Sequence, residues 1–406
     1  MIAGGWKPLK IGEIGRVVTG KTPSTHILEN FGDKYPFITP RDMTGKKRIS
    51  DTERYLSEKG KISVKNCLLP ANAICVSCIG SDMGKVVMTS QDSITNQQLN
   101  SVVCSDSFNP DFVYYSIIKI SDELRNAAHH STAVPILNKS AFSDFEIDVP
   151  DLPTQTRIAA ILSALDDKIE MNRQTNATLE AIAQAIFKEW FVDFRFPGAT
   201  GEMQDCELGP IPKGWQHGKI KDFTKRIQYG LTQSASIEEI GPHFLRITDI
   251  QKGRINWKSV PYCLVDKKDI EKYKIENYDI VIARTGASTG ENALVVNSPE
   301  SVFASYLIRI QFEQPELALY VGKLLRRKQY FEFIDSIKSG SAQPNANAQQ
   351  LTDFDILLPT IDILKEYFVI IEQVEQLKAE HQVSSTTLAQ IRDILLPKLM
   401  SGGIEV

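Results

Sequence analysis

Several segments of this chain hold residues whose spacing could support chemistry. Cys75-Val-Ser-Cys78 has the spacing of half a zinc site, but no second thiol pair follows. An internal repeat, described below, sets Val281 and Arg284 at these positions, so a buried strand is expected there and not a metal centre. Gly80-Ser-Asp-Met-Gly84-Lys85 approaches a phosphate-cradling loop. It has one residue too few between its glycines, and Val86 stands where Ser or Thr would hold magnesium. Asn109-Pro-Asp-Phe112 falls one proline short of the Asn-Pro-Pro-aromatic motif of amino-methyl transfer, and no glycine-rich strand-to-helix turn accompanies it. His129-His130 has no matching His or carboxylate in the repeat. No nucleophile–base set and no paired carboxylates recur at matched positions, so catalysis by this chain, or a cofactor resident in it, is not expected.

Polar loops offer a different chemistry. Ser, Thr, Asn, Gln, Arg and Lys read base edges and grip phosphates. In the first half they gather at Thr39 and Arg41, the basic run Lys46, Lys47 and Arg48, then Ser81, Asp82 and Lys85, then Asn96 and Gln97, with Ser131-Thr132 weaker. In the second half they gather at Gln228 and Tyr229, at Arg246, Thr248 and Asp249, at Arg284, Thr285 and Ser288, at Tyr306, and at Ser339 and Ser341 in the stretch ending at Gln343. Any one of these loops reads as a solvated turn. Together they carry more, because equivalent loops differ while their flanks agree, as two readers of different sequences would.

The elements that must position these loops follow from length and pattern. The chain has 406 residues, 42% apolar and 24% charged, which predicts two to four globular domains and excludes a disordered chain or a disulfide scaffold. No apolar run approaches the ~18 residues of a membrane span, and no secretory signal is visible. Six scattered cysteines fit free thiols in a reducing compartment, so a cytoplasmic protein is expected. The net charge is −4, unevenly spread: residues 1–150 hold 17 Lys and Arg against 16 Asp and Glu, residues 151–204 hold 5 against 8, residues 205–360 hold 20 against 19, and residues 361–406 hold 4 against 7. Nucleic acid would have to meet local basic patches on the large blocks.

The chain repeats itself at an offset of 209 residues. Phe142, Asp144, Phe145, Ile147 and Pro150 meet Leu351, Asp353, Phe354, Ile356 and Pro359 without a gap. Gly5-Trp6 with Lys10-Ile11 mirrors Gly214-Trp215 with Lys219-Ile220. Each block, 1–150 and 214–360, therefore has similar ends, a divergent middle of mixed α and β character, and a helical run near Pro110–Ala128 or Pro315–Ile337.

After each block the apolar spacing changes to steps of three and four. Ile158, Leu162, Leu165, Ile169, Leu179, Ile186 and Trp190 form one seam; Ile371, Val374, Leu388, Leu395 and Leu399 form the other. Asp151 and Thr154 are candidate caps of the first helix, with Pro197-Gly198 as its stop, and about 33 residues at 1.5 Å each predict ~50 Å. Both seams are polar at the centre, with Asn172 and Asn176 in one and His381 and Ser385 in the other. Antiparallel pairing of the helices would set these centres opposite each other and fix register. The expected fold class is α+β: two globular domains joined by two long antiparallel helices, related by a pseudo-two-fold repeat suited to duplex DNA. The expected boundaries are 1–150, a central helix 151–196, a linker 197–213, 214–360, and a C-terminal helix 361–402.

These features resemble the DNA specificity subunit of type I restriction-modification systems. The resemblance rests on the two Gly-Trp-x(3)-Lys-Ile openings, the ends Asp144-Phe145-Glu-Ile147 and Asp353-Phe354-Asp-Ile356, and the run Gln155-Thr-Arg-Ile158 through Leu165-Asp-Asp-Lys-Ile169 to Asn172. The linker Leu208-Gly-Pro-Ile-Pro-Lys-Gly-Trp215 and the tail Ile394-Leu-Leu-Pro-Lys-Leu-Met-Ser-Gly402 also carry it, and it covers essentially the whole chain. The second helix departs, with Ile363-Leu364-Lys365-Glu366 where the first has Thr154-Gln155-Thr156-Arg157. The resemblance implies two target recognition domains on double-stranded DNA, each reading half of a split sequence. It implies two methyltransferase subunits along the helices, motor-nuclease subunits beyond them, and S-adenosylmethionine, ATP and Mg only on those partners. A non-catalytic scaffold whose two blocks bind proteins is the competing interpretation.

Overall fold

The structure, a computed structural model, describes residues 5–128, 136–338, 346–404 and 406. The candidates Ser131, Thr132, Ser339, Ser341 and Gln343, and His129-His130, lie outside the described residues. The chain divides into two compact units, 1–178 with 378–406, and 179–377. Each unit holds one block with part of each long helix.

In the first unit, the strands Gly15–Thr19, Leu99–Cys104, Ile74–Ser77, Val86–Thr89 and Arg48–Ile49 lie side by side in that order. A second five-stranded sheet includes Tyr35–Ile38 and Ser93–Thr95. In the second unit the equivalent sheet runs Arg226–Tyr229, Leu307–Gln311, Ile280–Ala283, Asn292–Leu294. Cys75 is fully buried in its strand and Cys78 nearly so just beyond its end.

The repeated ends of the blocks are contact partners. Lys7–Lys10 pairs antiparallel with Glu146–Val149, and Gln216–Lys219 pairs with Asp355–Leu358. In each case the repeated lysine reaches the aspartate of the closing motif: Lys10 Nζ to Asp144 at 2.9 Å, Lys219 Nζ to Asp353 at 3.0 Å. The following isoleucine, fully buried, donates its amide to the next carbonyl, Ile11 to Phe145 at 2.8 Å and Ile220 to Phe354 at 3.1 Å.

The closing strands lead directly into the long helices, Leu152–Phe191 and Ile361–Leu399. Asp151 caps the first, accepting the Thr154 amide at 2.8 Å, with Pro153 in the first turn. Both helices are longer than the 33 residues the seam predicts: 40 and 39. The first also stops before Pro197-Gly198. Phe194 takes a left-handed φ of +57°, and Phe194 and Phe196 fold back to pack on Trp215, with ring centroids 5.4 and 5.6 Å away.

The helices pair antiparallel inside each unit. In the first, Asp166, Asn172 and Asn176 meet Arg392, Ser385 and His381 in falling order. The polar centre is a bonded layer: Asn172 Nδ2 donates to Ser385 Oγ at 3.2 Å, Asn176 Nδ2 to the Lys378 carbonyl at 3.2 Å, and His381 Nδ1 lies 2.8 Å from Asn176 Oδ1. Ile158 and Leu162 enter the first block's core with Leu399, and Leu395 packs against it. In the second unit Trp190 and Ile371 are buried with Ala183, Phe187, Phe191 and Tyr367, and Ile186 and Val374 pack against them. Leu165, Ile169, Leu179 and Leu388 are only half-buried, because the seam between the two cores is polar. Leu162→Ala is therefore expected to cost about 2–5 kcal/mol and Leu165→Ala distinctly less, read as a difference in urea midpoints.

Candidate nucleic-acid interface

A parallel strand pair delivers two loops to one edge of each unit. In the first unit Tyr35–Ile38 and Ser93–Thr95 run in the same direction, with Phe37 opposite Ile94 and Ile38 opposite Thr95. The chain leaving Ile38 turns at Pro40–Asp42, where Asp42 Oδ2 accepts the Thr39 amide at 2.8 Å and the Thr39 hydroxyl at 2.7 Å. Thr39 is thus a shaping residue, and Arg41 projects from the turn, exposed. The chain leaving Thr95 bonds back through the Asn96 amide to Ile38 O at 3.0 Å. The Asn96 side chain is buried and braces Gln98, whereas Gln97 is exposed.

Three further segments join this edge. The Cys78 amide bonds to Gln98 O at 2.8 Å and the Leu137 amide to Cys78 O at 2.8 Å, which brings in the Gly80–Lys85 loop and the segment from Ile136. Ser81 is exposed there, and Asp82 pairs with Lys85 at 2.7 Å. Gly20–Thr22 is the third addition, outside the candidate loops of the sequence. Lys21 donates its amide to Thr95 O at 2.9 Å and the Thr22 hydroxyl lies 2.7 Å from Gln97 Oε1. A Cβ on Gly20 would fall 2.2 Å from Asn96 O.

The second unit builds the same edge from other side chains. His243–Leu245 runs parallel to Ser301–Phe303. The following turn is again closed by an aspartate, Asp249, which accepts the Arg246 amide at 2.9 Å and grips the Arg246 guanidinium at 3.0 and 2.9 Å. This pairing raises the Arg246 pKa above its ordinary value. Thr248 is exposed on the turn. Gly230 occupies the place of Gly20, its hypothetical Cβ 2.3 Å from Ala304 O, and Leu231 exchanges backbone bonds with Phe303 and Ser305. The Arg284 amide bonds to Tyr306 O at 3.0 Å and its guanidinium lies 5.1 Å from the Tyr229 ring. Thr285 and Ser288 lie half-buried at the Gly286–Ser288 turn, which the Thr289 hydroxyl closes on Gly286 O at 2.8 Å. Tyr229 and Tyr306 are 43% and 56% exposed, large aromatic surfaces at a polar edge.

Other candidates are drawn elsewhere. Lys47, with its side chain 7% exposed, meets Asp111 at 2.8 Å and Ser163 of the first long helix at 2.6 Å. Arg48 shares Asp111 at 2.7 Å, and Lys46 lies near Glu170 of that helix. The basic run therefore faces the helix. Gln228 is held internally by Lys272 O and Arg309. Burial pushes the Cys75 and Cys78 thiols up to about 12 and about 11, which opposes the thiolate a metal would need. Among the described residues no cluster of three or more His, Cys, Asp or Glu is placed to hold a metal.

The duplication has a counterpart among known proteins. The profile of the "Type I restriction modification DNA specificity domain" matches residues 3–181 and again 212–386. The chain belongs to that family. The specificity subunit MjaIX of Methanocaldococcus jannaschii is 28% identical over 99% of this chain and 94% of its own length. The HindI specificity subunit of Haemophilus influenzae is 36% identical over 42% of this chain and 39% of its own length. The crystal structure of an S subunit from M. genitalium shares the fold, with a TM-score of 0.62 at 15% identity over 97% of this chain and 96% of that one. The protein is a specificity subunit of a type I restriction-modification system, with DNA recognition domains.

Gly20 and Gly230 mark a recognition-domain loop that the repeat could have disclosed: Gly20-Lys-Thr-Pro-Ser24 matches Gly230-Leu-Thr-Gln-Ser234 at Gly, Thr and Ser, at an offset of 210. Gly20→Ala is expected to destabilise its domain by about 1–3 kcal/mol through backbone overlap. Gly80→Ala, which meets open space at a φ of +79°, is expected to cost about 1 kcal/mol through strain alone. Thermal unfolding of the two variants checks the order.

Proposed function

We propose that each recognition domain reads one half of a bipartite duplex target. The observation that carries this is one edge built twice from matching backbone segments, the fifth in the second unit held by the Ala346 amide on Arg284 O at 2.9 Å, with different exposed groups. Arg41, Gln97 and Ser81 stand in one; Thr248 and Tyr306 occupy the other, beside a half-buried Arg284 that donates to Ser305 O. Arginine is suited to guanine and amides to adenine, and tyrosine supplies a stacking face. The chain performs no chemistry of its own. Methyl transfer from S-adenosylmethionine belongs to two methyltransferase subunits, and ATP- and Mg-dependent cleavage belongs to motor-nuclease subunits joined through them, in the cytoplasm. No described helix is long and apolar enough to cross a membrane.

The long helices supply the docking surface in this reading. Ile161 and Ile182 of the first are 39% and 45% exposed, and their repeats Ile370 and Ile391 in the second are 37% and 42% exposed. Apolar positions left uncovered at the same places in both helices support a partner that binds each helix alike.

Exchanging residues 5–150 for those of a relative is expected to change one half of the methylated motif and leave the other, as read by methylation mapping; a change in both halves refutes two independent readers. Arg41→Ala is expected to weaken duplex binding with thermal stability unchanged. If Arg41 meets a phosphate, the slope of log affinity against log salt falls by about one; if it meets a guanine, discrimination at one position falls instead by about 1–3 kcal/mol.

A further inference from the structure

The basic run that turns away from the loop edge joins a charged network at the junction of the first block and the helices. Lys47 Nζ lies 2.8 Å from Asp111, 2.6 Å from Ser163 Oγ and 4.7 Å from the Tyr115 ring centroid. The Tyr115 hydroxyl donates to Asp166 Oδ2 at 2.6 Å, and Arg392 of the second long helix donates to Asp166 Oδ1 at 2.6 Å. Arg48 closes the near end on Asp111 and Asp393 the far end on Arg392. One line of charge-assisted bonds thus runs from a strand edge of the recognition domain, through its helix Pro110–Lys119, to both long helices. Lys47 and Asp166 are its most enclosed charged side chains, 7% and 9% exposed, on either side of the fully buried Tyr115.

The second unit solves the same junction differently. The repeat sets Glu375 at the place of Asp166 and Tyr320 at that of Tyr115. Glu375 pairs with Lys323, the Tyr320 hydroxyl turns to Leu357 O at 2.6 Å, and Ala183 stands where Arg392 would be. Phe187, Phe191, Trp190 and Tyr367 fill the junction with ring contacts. Enclosed ion pairs contribute little net stability compared with apolar packing, because desolvation offsets attraction. What they impose is direction: each bond holds two elements at one angle.

We propose that Asp166 and Lys47 are positioning residues that fix the angle at which the first recognition domain presents its loops. The device rests on the bipartite reading above: a fixed angle makes the protein reject targets whose two halves are shifted in phase. Neither side chain touches DNA, and each acts through the junction.

The test uses the full chain with its methyltransferase partners. The probes are a duplex carrying the motif mapped in host DNA, and the same duplex with its central gap one base pair longer or shorter. Asp166→Asn leaves Arg392 paired with Asp393, and Lys47→Met leaves Asp111 paired with Arg48, so each variant keeps its remaining charges matched. In both, the preference for the native gap is expected to fall about tenfold, which is about 1.4 kcal/mol, while affinity for the native duplex and the melting midpoint stay near wild type. Lys47→Arg, which keeps the charge on Asp111, is expected to retain most of the preference. Undiminished gap preference in folded Asp166→Asn and Lys47→Met overturns the proposal, as does an equal loss of affinity on all three duplexes. A wild-type complex that selects no split motif overturns the bipartite reading, and the positioning role with it.

Discussion

Everything in each unit depends on a four-residue antiparallel strand pair. Lys7–Lys10 lies against Glu146–Val149, and Gln216–Lys219 against Asp355–Leu358. The pair brings the two ends of a block of about 140 residues together and hands the chain to a long helix within three residues. It is locked by a lysine–aspartate contact, a buried isoleucine and one amide-to-carbonyl bond, and all three recur in both halves. The chain between these ends is free to vary because its anchorage does not depend on it. Similar ends around divergent middles are what this constraint leaves behind.

The same logic separates what was legible from what was not. The seam was readable because helical periodicity is local, and the polar centre because Asn172 and Asn176 break it at one place. The structure pairs these asparagines with Ser385 and His381. The closing motifs were readable as repeats, though not as partners, since Lys10 and Asp144 lie 134 residues apart. The basic run Lys46, Lys47 and Arg48 looked like a phosphate grip, and its composition alone supports that. Its partners Asp111 and Ser163 are 64 and 116 residues downstream and invisible to any local pattern. Gly20 and Gly230 carry no local signal, because the need for glycine arises from strands that arrive much later in the chain. The helix stops at Phe191 for a related, non-local reason: the rings of Phe194 and Phe196 are drawn back onto Trp215, well before the proline.

The helix pair distributes its energy unevenly. Ile158, Leu162 and Leu399 are sealed in one core and Ile371, Trp190 and Tyr367 in the other, while the stretch between them is held by amides, hydroxyls and an imidazole. Burial at the ends supplies stability. The polar layer adds less, but a slip by one helical turn would leave Asn172, 2% exposed, without its partners, and an unsatisfied buried amide costs roughly 1–3 kcal/mol. Register is therefore set where the hydrophobic contribution is smallest, the division of labour seen when a polar residue interrupts an apolar seam.

Recognition edges impose the opposite requirement, a fixed frame with replaceable fittings. Parallel strands suit this, because both leave the sheet at the same side and their exits are held by backbone bonds: Asn96 to Ile38 in one unit, Ala304 to Leu245 in the other. The turn that follows is closed in each by an aspartate three residues on, whether the first residue is Thr39 or Arg246. The adjacent glycine admits a third segment at near-contact distance. None of these devices uses the side chains at Arg41, Thr248 or Tyr306, which face outward. Substitution there changes what the edge can bind without disturbing what builds it. For that reason a duplicated scaffold can carry two unlike readers, and the positions that differ most between the halves are the ones the fold constrains least.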